Sequence, residues 1–408
     1  MSIVIINHSD VRGGASVVSR RLLDALRAEG ADASMLVVHK ASDDPAVVLA
    51  GNPLSRRLPF LAEHMRLLAA CRGDRTNIFK LSIATDGLPL NRHPLVREAD
   101  TVMLNWVNQG MLSLDEIARM AADGKRIIWT MHDMWCATGI CHHAGDCPNY
   151  RRPRGCADCP MLGRGAGPSD LSARTWARKR RLYAEAGITF VAVSSWLADV
   201  CRHSPLMEGC RIETIPNAFP VERFRTEPVR TRAELGLPEG VPLVVMGAAR
   251  LDDPIKGLPM AVEALSMLRD SGAAVVFFGD LRDRSALDSL AMPYVWLGTQ
   301  ADMDVVADIY AHADVVLSSS HYETLPGTLI EGQASGAFPV AFDRGGQSDI
   351  ITQGETGFLA RYPDTADLAA GIALGLSRPV PAGQLREAAS RFAAPAIARR
   401  YLDLSKFI

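Results

Sequence analysis

The chain has 408 residues, 48% of them hydrophobic and 22% charged, and its formal net charge is −2. This globular composition excludes a disordered, collagen-like or coiled-coil protein, and the small net charge gives no reason to expect a nucleic-acid partner. No apolar run approaches the roughly 20 residues of a membrane-spanning helix, and the first residues lack the features of a signal peptide, so we expect a cytoplasmic protein.

The first half of the chain predicts a parallel sheet covered by helices. Apolar runs that we predict to be strands lie at residues 3–7, 35–38, 101–104, 126–130 and 189–194. Segments of helical length separate these runs. The first such segment follows Gly13-Gly14 and places Val18, Leu22 and Leu26 on one face. Continuous apolar strands joined by helical crossovers are typical of a parallel sheet that is buried on both faces.

The same pattern starts again after a stretch rich in Pro, Arg and Glu that begins near residue 216. Strands predicted in this half lie at residues 243–247, 274–278, 294–297, 315–318 and 338–342. We therefore predict an α/β protein of two doubly wound domains, with limits at residues 1–216 and 217–390. Ligands of such sheets bind at the carboxyl ends of the strands, so the cleft between the domains is the expected site.

Gly13-Gly14 separates the first predicted strand from the first predicted helix. Glycines let the backbone approach a ligand closely, and a helix N-terminus favours anions. The pair is not the full dinucleotide-binding motif, and a tight turn before a helix explains it equally well.

A loop in the second half carries two cations. Arg250 and Lys256 both lie between a predicted strand and a predicted helix. A guanidinium fork and an ammonium group at this place can hold a diphosphate, whereas the simpler alternative is a pair of solvated loop cations.

A second loop, after the strand at 315–318, carries a carboxylate. Glu323 lies in this loop, and Glu331 lies inside the helix that Pro326 is predicted to begin. The N–H groups of Gly327 and Thr328 would point at an anion in front of that helix. The two carboxylates could then hold hydroxyl groups on either side of the anion, although either one alone is more often a helix-terminus charge.

Four of the eight cysteines form a cluster in the sequence. Cys141, Cys147, Cys156 and Cys159 are separated by five, eight and two residues. The short last gap is typical of structural zinc sites, and the segment 136–160 has few large apolar residues to hold it together. We predict a structural zinc ion, and the alternative is a group of buried or free thiols.

A basic stretch follows the cysteines. It contains Arg174, Arg178, Lys179, Arg180 and Arg181, interleaved with Trp176, Leu182 and Tyr183. Such a helix can lie on an anionic membrane or hold the pyrophosphate of an acceptor, but a solvated helix face is the more common explanation.

Taken in order, these motifs resemble the retaining nucleotide-sugar glycosyltransferases of family four, the glycosyl transferases group 1. The matching segments are Gly13-Gly14-Ala15, Ser194-Ser195-Trp196-Leu197, Ile215-Pro216-Asn217, Arg250 with Lys256-Gly257, Glu323 with Glu331, Gly345-Gly346, and Gly354-Glu355-Thr356-Gly357. The resemblance implies the GT-B fold, in which two Rossmann-like domains face each other across a cleft. It also implies that a C-terminal helix within residues 391–408 packs back on the first domain.

The resemblance implies roles for the residues of the second domain. Arg250 and Lys256 would neutralise the donor diphosphate, and Glu331 would hold the ribose hydroxyls. Glu323 would hold a hydroxyl of the donor sugar, with the backbone of Thr324 and Leu325 alongside.

The first domain would contribute Gly13 and Gly14, which allow close approach to the phosphates and the sugar, and His132, which matches a family histidine facing the sugar and the acceptor. Many members have glycine where this chain has Pro326. The proline removes one N–H group, so Gly327 and Thr328 would contribute more to phosphate binding. Family chemistry needs no metal and no dedicated base, because an oxygen of the leaving phosphate can take the acceptor proton.

The sequence therefore predicts a glycosyltransferase of the hexosyl or a related class. It would move a sugar, with retention, from a UDP or GDP sugar to a glycan or lipid-linked glycan in bacterial surface polysaccharide synthesis, in peripheral contact with the inner face of the membrane. The alternatives are a nucleotide-sugar epimerase or hydrolase and a catalytically silent homologue that binds nucleotide sugar. The complete set of Arg250, Lys256, Glu323 and Glu331 argues against the silent homologue.

Overall fold

The structure is a computed structural model and describes residues 1–406. The chain divides into two compact units. The first consists of Met1–Asn217 together with the described residues from Ile397, and the second is Ala218–Ala396. The predicted domain limits of 1–216, 217–390 and 391–408 stay predictions.

The first unit is built on a seven-stranded sheet in which every neighbouring pair of strands is parallel. Its strands are β1 Ser2–Ile6, β2 Asp32–Val37, β3 Val47–Leu49, β4 Thr101–Leu104, β5 Arg126–Met131, β6 Thr189–Ala192 and β7 Arg211–Thr214. Its helices are α1 Gly14–Ala28, α2 Pro53–Ala70, α3 Pro94–Glu98, α4 Leu114–Ala122, α5 Leu171–Glu185 and α6 Ser195–Arg202. The strand order is β3-β2-β1-β4-β5-β6-β7.

The second unit is built on a six-stranded parallel sheet. Its strands are β8 Leu243–Arg250, β9 Ala274–Asp280, β10 Tyr294–Trp296, β11 Val315–Ser318, β12 Phe338–Phe342 and β13 Phe358–Ala360. The helices that follow in the chain are α7 Arg232–Leu235, α8 Leu258–Ser266, α9 Met303–Ala311, α10 Gly327–Ala334, α11 Thr365–Ser377, α12 Ala382–Ala389 and α13 Ala394–Lys406. The strand order is β10-β9-β8-β11-β12-β13.

Both sheets have the doubly wound order, in which the chain starts in the middle and then reverses direction across the sheet. The reversal falls between β1 and β4 in the first unit and between β8 and β11 in the second. Central strands such as β1, β4 and β11 are almost entirely buried, which is why they appear in the sequence as unbroken apolar runs. The predicted α/β class with two doubly wound sheets is confirmed.

The C-terminal helix α13 contacts strands of the first unit through its second half. Tyr401 Oη lies 3.0 Å from Thr130 Oγ1 of β5, and Arg400 donates a hydrogen bond of 2.6 Å to the carbonyl oxygen of Thr214 in β7. Arg126 also donates to the carbonyl oxygen of Ser405. No helix among residues 1–406 is both long enough and apolar enough to cross a membrane.

Candidate functional site

In the second unit, two loops meet where the strand order reverses. One loop leaves β8 after Arg250 and leads to α8, and the other leaves β11 after Ser318 and leads to α10. The N–H group of His321 donates to the carbonyl oxygen of Ile255 at 2.8 Å, and Ser319 Oγ donates to the carbonyl oxygen of Lys256 at 2.8 Å. These bonds hold the two loops against each other.

Gly257 allows this close approach. Its φ is +64°, and a Cβ atom at this position would lie 2.2 Å from the carbonyl oxygen of Ser319. Any other residue would clash with the second loop and would also adopt a left-handed backbone that it disfavours. Gly257 is therefore needed to place the preceding Lys256 beside the second loop.

Lys256 and Glu323 form an ion pair across the two loops. Lys256 Nζ lies 2.5 Å from Glu323 Oε1, and Ser320 Oγ donates to the same carboxylate oxygen at 2.9 Å. The two side chains are 29% and 20% exposed, so a ligand can reach both from solvent. The sequence placed these residues in separate motifs, and the structure brings them into direct contact.

Arg250 also has acidic neighbours. Its Nε lies 3.2 Å from Asp252 Oδ1, and its Nη2 lies 3.5 Å from Asp253 Oδ2. Asp253 additionally accepts a hydrogen bond from the N–H group of Ile255 at the start of a short 3₁₀ turn. Both predicted phosphate-binding cations are thus paired with carboxylates, which an incoming anion would have to displace.

Helix α10 begins at this edge of the sheet. Pro326 is its N-cap rather than its first residue, so Gly327 and Thr328 form the first positions of the helix. The free N–H groups of a helix N-terminus carry partial positive charge and attract anions. Glu331 follows one turn later, with its Oε1 4.0 Å from the position that a Cβ of Gly327 would occupy.

The segment that carries Thr324 and Leu325 connects the ion pair to α10, with Thr324 half-buried and Leu325 buried. The loop of Gly345 and Gly346 lies against it, because the N–H group of Gly346 donates to the carbonyl oxygen of Glu323 at 2.8 Å. A Cβ on Gly345 would lie 2.2 Å from that same oxygen.

In the first unit, Gly13 is the N-cap of α1 with a φ of +87°, and Gly14 is the first residue of the helix. Both glycines are exposed, and a Cβ on either would meet no atom within 4 Å. The fold therefore leaves open space at this helix N-terminus. The tight turn accounts for the glycine at position 13, where φ is positive, but it does not require a glycine at position 14.

His132 directly follows β5, at the carboxyl end of the sheet. Burial lowers its pKa to about 4, and the neighbouring Asp133 opposes the shift only in part. The imidazole is therefore neutral near pH 7. This leaves one ring nitrogen able to donate and the other able to accept a hydrogen bond.

Asp133 is the centre of a polar network that the sequence analysis missed. Its Oδ2 accepts hydrogen bonds from His142 Nδ1 at 2.7 Å and from Trp106 Nε1 at 3.1 Å. Burial by itself would raise the pKa of Asp133, but His142 holds it at about 2. His142 Nε2 lies 3.0 Å from Ser82 Oγ, but Ser82 is fully buried, so this Ser-His-Asp chain fixes the loop and offers no nucleophile to a ligand.

His8, at the end of β1, stacks edge-on against Trp106, with ring centroids 5.3 Å apart. His8, Trp106 and Asp133 follow β1, β4 and β5, which are neighbours in the sheet. These residues could have been found in the sequence because each follows one of three neighbouring strands, and the carboxyl ends of adjacent parallel strands meet at one edge of the sheet.

A cavity of about 440 Å³ lies in the first unit beside His8. It is lined by His8, Val38, His39, Pro53, Arg56, Arg57, Phe60, Gln109, Gly110 and Met111. No carboxylate is among these lining residues. The pKa of His39 is lowered by burial and by the nearby charges of Arg12 and Arg56, which indicates a positive potential at this cavity.

The four predicted zinc ligands lie together but are not arranged to hold a metal. Cys141, Cys147, Cys156 and Cys159 line one small cavity of about 20 Å³. Among residues 1–406, no group of three or more His, Cys, Asp or Glu side chains has a metal-binding arrangement, and all eight cysteines are free. The zinc prediction has no support here, and the alternative of buried or free thiols describes the structure.

Three thiols of this cluster, those of Cys141, Cys156 and Cys159, are protonated near neutral pH. Burial raises the pKa of Cys141 and Cys159 to about 12 and that of Cys156 to about 11. Lys179 of α5 is fully buried nearby and donates to the carbonyl oxygens of Trp135 and Thr138 at 2.6 and 3.1 Å. Burial lowers its pKa to about 7, despite the opposing influence of the thiols.

The predicted basic helix is α5. Its aromatic and aliphatic side chains, Trp176, Leu182 and Tyr183, are buried, whereas Arg174, Arg180 and Arg181 are exposed. Arg178 pairs with Asp115 at 3.0 Å. The exposed arginines fit the solvated helix face named as the alternative, whereas Lys179 of the same stretch is buried.

Comparison with solved structures bears on the fold of the protein. The chain matches the structure of HepE from Anabaena in complex with UDP and glucose with a TM-score of 0.62 and 16% sequence identity, covering 100% of both chains. At this identity the likeness shows the fold alone, which is the GT-B fold with two Rossmann-like units.

Comparison with protein families gives the narrower assignment. Residues 242–377, which hold Arg250, Lys256, Glu323 and α10, match the family model of the glycosyl transferases group 1. The resemblance to this family found in the sequence is confirmed over these residues.

Two curated relatives illustrate the range of similarity. The D-inositol 3-phosphate glycosyltransferase of Nocardia farcinica is 34% identical over 175 residues, which is 39% of this chain and 38% of the relative. The enzyme of the same name from an Arthrobacter species is 27% identical over 93% of this chain and 85% of the relative. The alignments with the first curated relatives cover only 28% to 51% of their lengths.

Proposed function

We propose that this protein is a retaining glycosyltransferase that moves a sugar from a nucleoside diphosphate sugar to a glycan or lipid-linked glycan acceptor in surface polysaccharide synthesis. The observation that carries the proposal is the convergence of Arg250, Lys256, Glu323 and the N-terminus of α10 at the strand-order reversal of the second unit. Its support is the family match over the same residues and the GT-B likeness to a protein solved with UDP and glucose.

The cations would act on the leaving group. When the bond between the sugar and the diphosphate breaks, negative charge grows on the phosphoryl oxygens. Lys256 and Arg250 lie on loops that hold each other in place, so only their side chains would have to turn from the carboxylates to stabilise this charge. The N–H groups at the start of α10 would add their dipoles at the same anion.

The carboxylates would position the hydroxyl groups of the donor. Glu323, once Lys256 turns to the diphosphate, would accept a hydrogen bond from a sugar hydroxyl. Glu331, one turn into α10, would accept from the ribose. These contacts act equally before and during the reaction, so their loss should weaken binding more than turnover.

Neutral His132 and the glycines Gly13 and Gly14 would serve the side of the sugar and the acceptor. The open space around both glycines supports a role in close approach, and the neutral imidazole supports hydrogen bonding to hydroxyl groups. No metal takes part in the proposed steps. Structural zinc at the four cysteines is a separate prediction that rests on their spacing alone.

The test is a thermal-shift panel of UDP, GDP, ADP and CMP sugars, followed by product analysis with the sugar that binds. A true donor in excess should stabilise the fold by mass action. Glycosylated acceptor with retained anomeric configuration would support the proposal. Free sugar would indicate a hydrolase, an epimerised donor would indicate an epimerase, and binding without turnover would indicate a silent homologue.

A further inference from the structure

The cavity of about 440 Å³ in the first unit lies where doubly wound sheets bind their ligands. Of its lining residues, His8 follows β1, His39 follows β2 and Gln109 follows β4. These strands are neighbours in the order β2-β1-β4, and the strand order reverses between β1 and β4. The volume is in the range of cavities that hold small molecules. Position and size therefore indicate a ligand site, which the proposed donor residues of the second unit do not account for.

The charged groups of the cavity wall are two neighbouring arginines of α2. Arg56 donates hydrogen bonds to the carbonyl oxygens of Val38 at 2.8 Å and Asn52 at 3.3 Å, and Arg57 is exposed. Among residues 1–406, neither guanidinium has a carboxylate partner. A guanidinium can hold a carboxylate or a phosphate through two parallel hydrogen bonds. The wall can therefore bind an acidic group.

The acidic side chains close to α2 do not neutralise this wall. Asp10, two residues beyond His8, accepts hydrogen bonds of 2.9 Å from two backbone N–H groups. Asp86 and Asp115 line a separate pocket against α2, and each pairs with an arginine outside the cavity wall. Glu63, the single carboxylate of α2, is buried and accepts hydrogen bonds from the backbone at residues 83 and 84.

The rest of the wall suits the ring and the hydroxyl groups of a sugar. Phe60 and Met111 line the cavity and provide apolar surface for the C–H groups of a sugar ring. Burial and the neighbouring His39 lower the pKa of His8 to about 4, so its imidazole is neutral near pH 7. A neutral imidazole can donate one hydrogen bond to a hydroxyl group and accept another.

We infer that this cavity binds a sugar that carries an acidic group, either a phosphate or a carboxylate. Arg56 and Arg57 hold the acidic group, and the sugar ring lies against Phe60 and Met111. The need for an anion follows from the two unpaired guanidinium groups, and the need for a ring follows from the apolar wall.

The cavity adjoins the polar network of the first unit. His8 stacks edge-on against Trp106, and Trp106 donates to Asp133, the residue after His132. The bound sugar is therefore assigned as the acceptor, a role that rests on the proposed function. It narrows the acceptor from a glycan in general to a glycan whose accepting end is acidic.

The experiment is calorimetric titration of the full chain, in excess UDP, with glucose 6-phosphate, glucuronate, glucose and inorganic phosphate. One of the two acidic sugars should bind at least about tenfold more tightly than glucose, because it adds charge-assisted hydrogen bonds. Which of them binds identifies the acidic group. Glucose 6-phosphate should also bind more tightly than inorganic phosphate, which lacks the ring. Acidic sugars that bind no better than glucose, or no better than inorganic phosphate, would overturn the inference.

Variants of the cavity wall give the second readout. Arg57→Gln should weaken binding of the acidic sugar about tenfold, and Arg57→Lys should recover part of it, because the charge returns without the planar fork. Arg97→Gln is the matched control. Arg97 is exposed in α3 of the same unit, but α3 precedes β4 and so lies at the opposite edge of the sheet. A folded Arg57→Gln protein that binds the acidic sugar like the wild type also overturns the inference.

Two further measurements separate this inference from the proposed function. Lys256→Met should bind the acidic sugar normally, and a loss of binding there would place the sugar in the second-unit loops and overturn the cavity site. Arg57→Gln should keep the wild-type thermal shift with UDP. A protein that binds the acidic sugar through Arg57 but responds to no nucleotide would refute the proposed function and leave the cavity site intact.

Discussion

Lys256→Met tests the proposed role of the second-unit loops most directly. The side chains of Lys256 and Glu323 are 29% and 20% exposed, so water screens their ion pair and its loss should cost no more than about 1 kcal/mol of folding free energy. For a unit of this size that corresponds to a fall in Tm of at most about 4 °C. The effect on turnover should be far larger, because an ammonium that stabilises charge in the transition state is worth about 10²–10³ in rate.

The assay is release of nucleoside diphosphate from the sugar donor in the presence of acceptor, measured beside the Tm of each variant. Arg269→Met is the matched control, since Arg269 is a 69% exposed cation of the same unit that lies outside both loops. Lys256→Arg should recover part of the rate because it restores the charge. A folded Lys256→Met protein that turns over as fast as the wild type would refute the role given to this residue.

Four further outcomes are expected. Glu331→Ala should raise the Kd for the nucleotide roughly tenfold or more, measured by calorimetry, while kcat changes little. Gly14→Val should fold with an unchanged circular dichroism spectrum, because its Cβ meets open space, but should transfer sugar slowly; normal transfer would make the glycine pair a simple turn. The pKa of His132 is about 4 in the fold against 6.5 unfolded, so the unfolded chain binds the extra proton and stability falls as pH drops below 6.5. By pH 5 this should cost about 2 kcal/mol, and His132→Gln should show a smaller fall in Tm between pH 7 and pH 5. Denatured, unreduced protein should titrate as eight free thiols. Elemental analysis of the wild type and of Cys156→Ser should decide the zinc prediction. About one zinc per chain in the wild type that is lost in the variant would support a structural zinc site.

The sequence allowed the fold to be predicted where strands are buried on both faces. Such strands appear as continuous apolar runs, and all ten predicted runs overlap strands of the structure. The edge strands β3, β7 and β13 were not predicted. They are three or four residues long and partly exposed, so neither length nor an unbroken apolar pattern distinguishes them from loops.

Candidate site residues could be proposed from the sequence where charged residues follow a strand within one motif. Arg250, Lys256 and Glu323 were selected in this way. The contact between Lys256 and Glu323 was not predicted, because it joins two loops 67 residues apart in the sequence. Asp133 and Trp106 were missed for the same reason. Their importance lies in hydrogen bonds between different strands, and nothing in the local sequence indicates which polar residues will meet.

The carboxylates beside the cationic loop would affect product release in the proposed reaction. A cation that loses a bound phosphate is normally solvated by water instead. A site without water or another anion to take the place of the phosphate would hold its product tightly. Here Glu323 and Asp252 stand ready to receive Lys256 and Arg250 again. If the proposed function holds, the spent nucleotide would leave in exchange for an internal anion, and the same anions would compete with stray phosphate for the empty site.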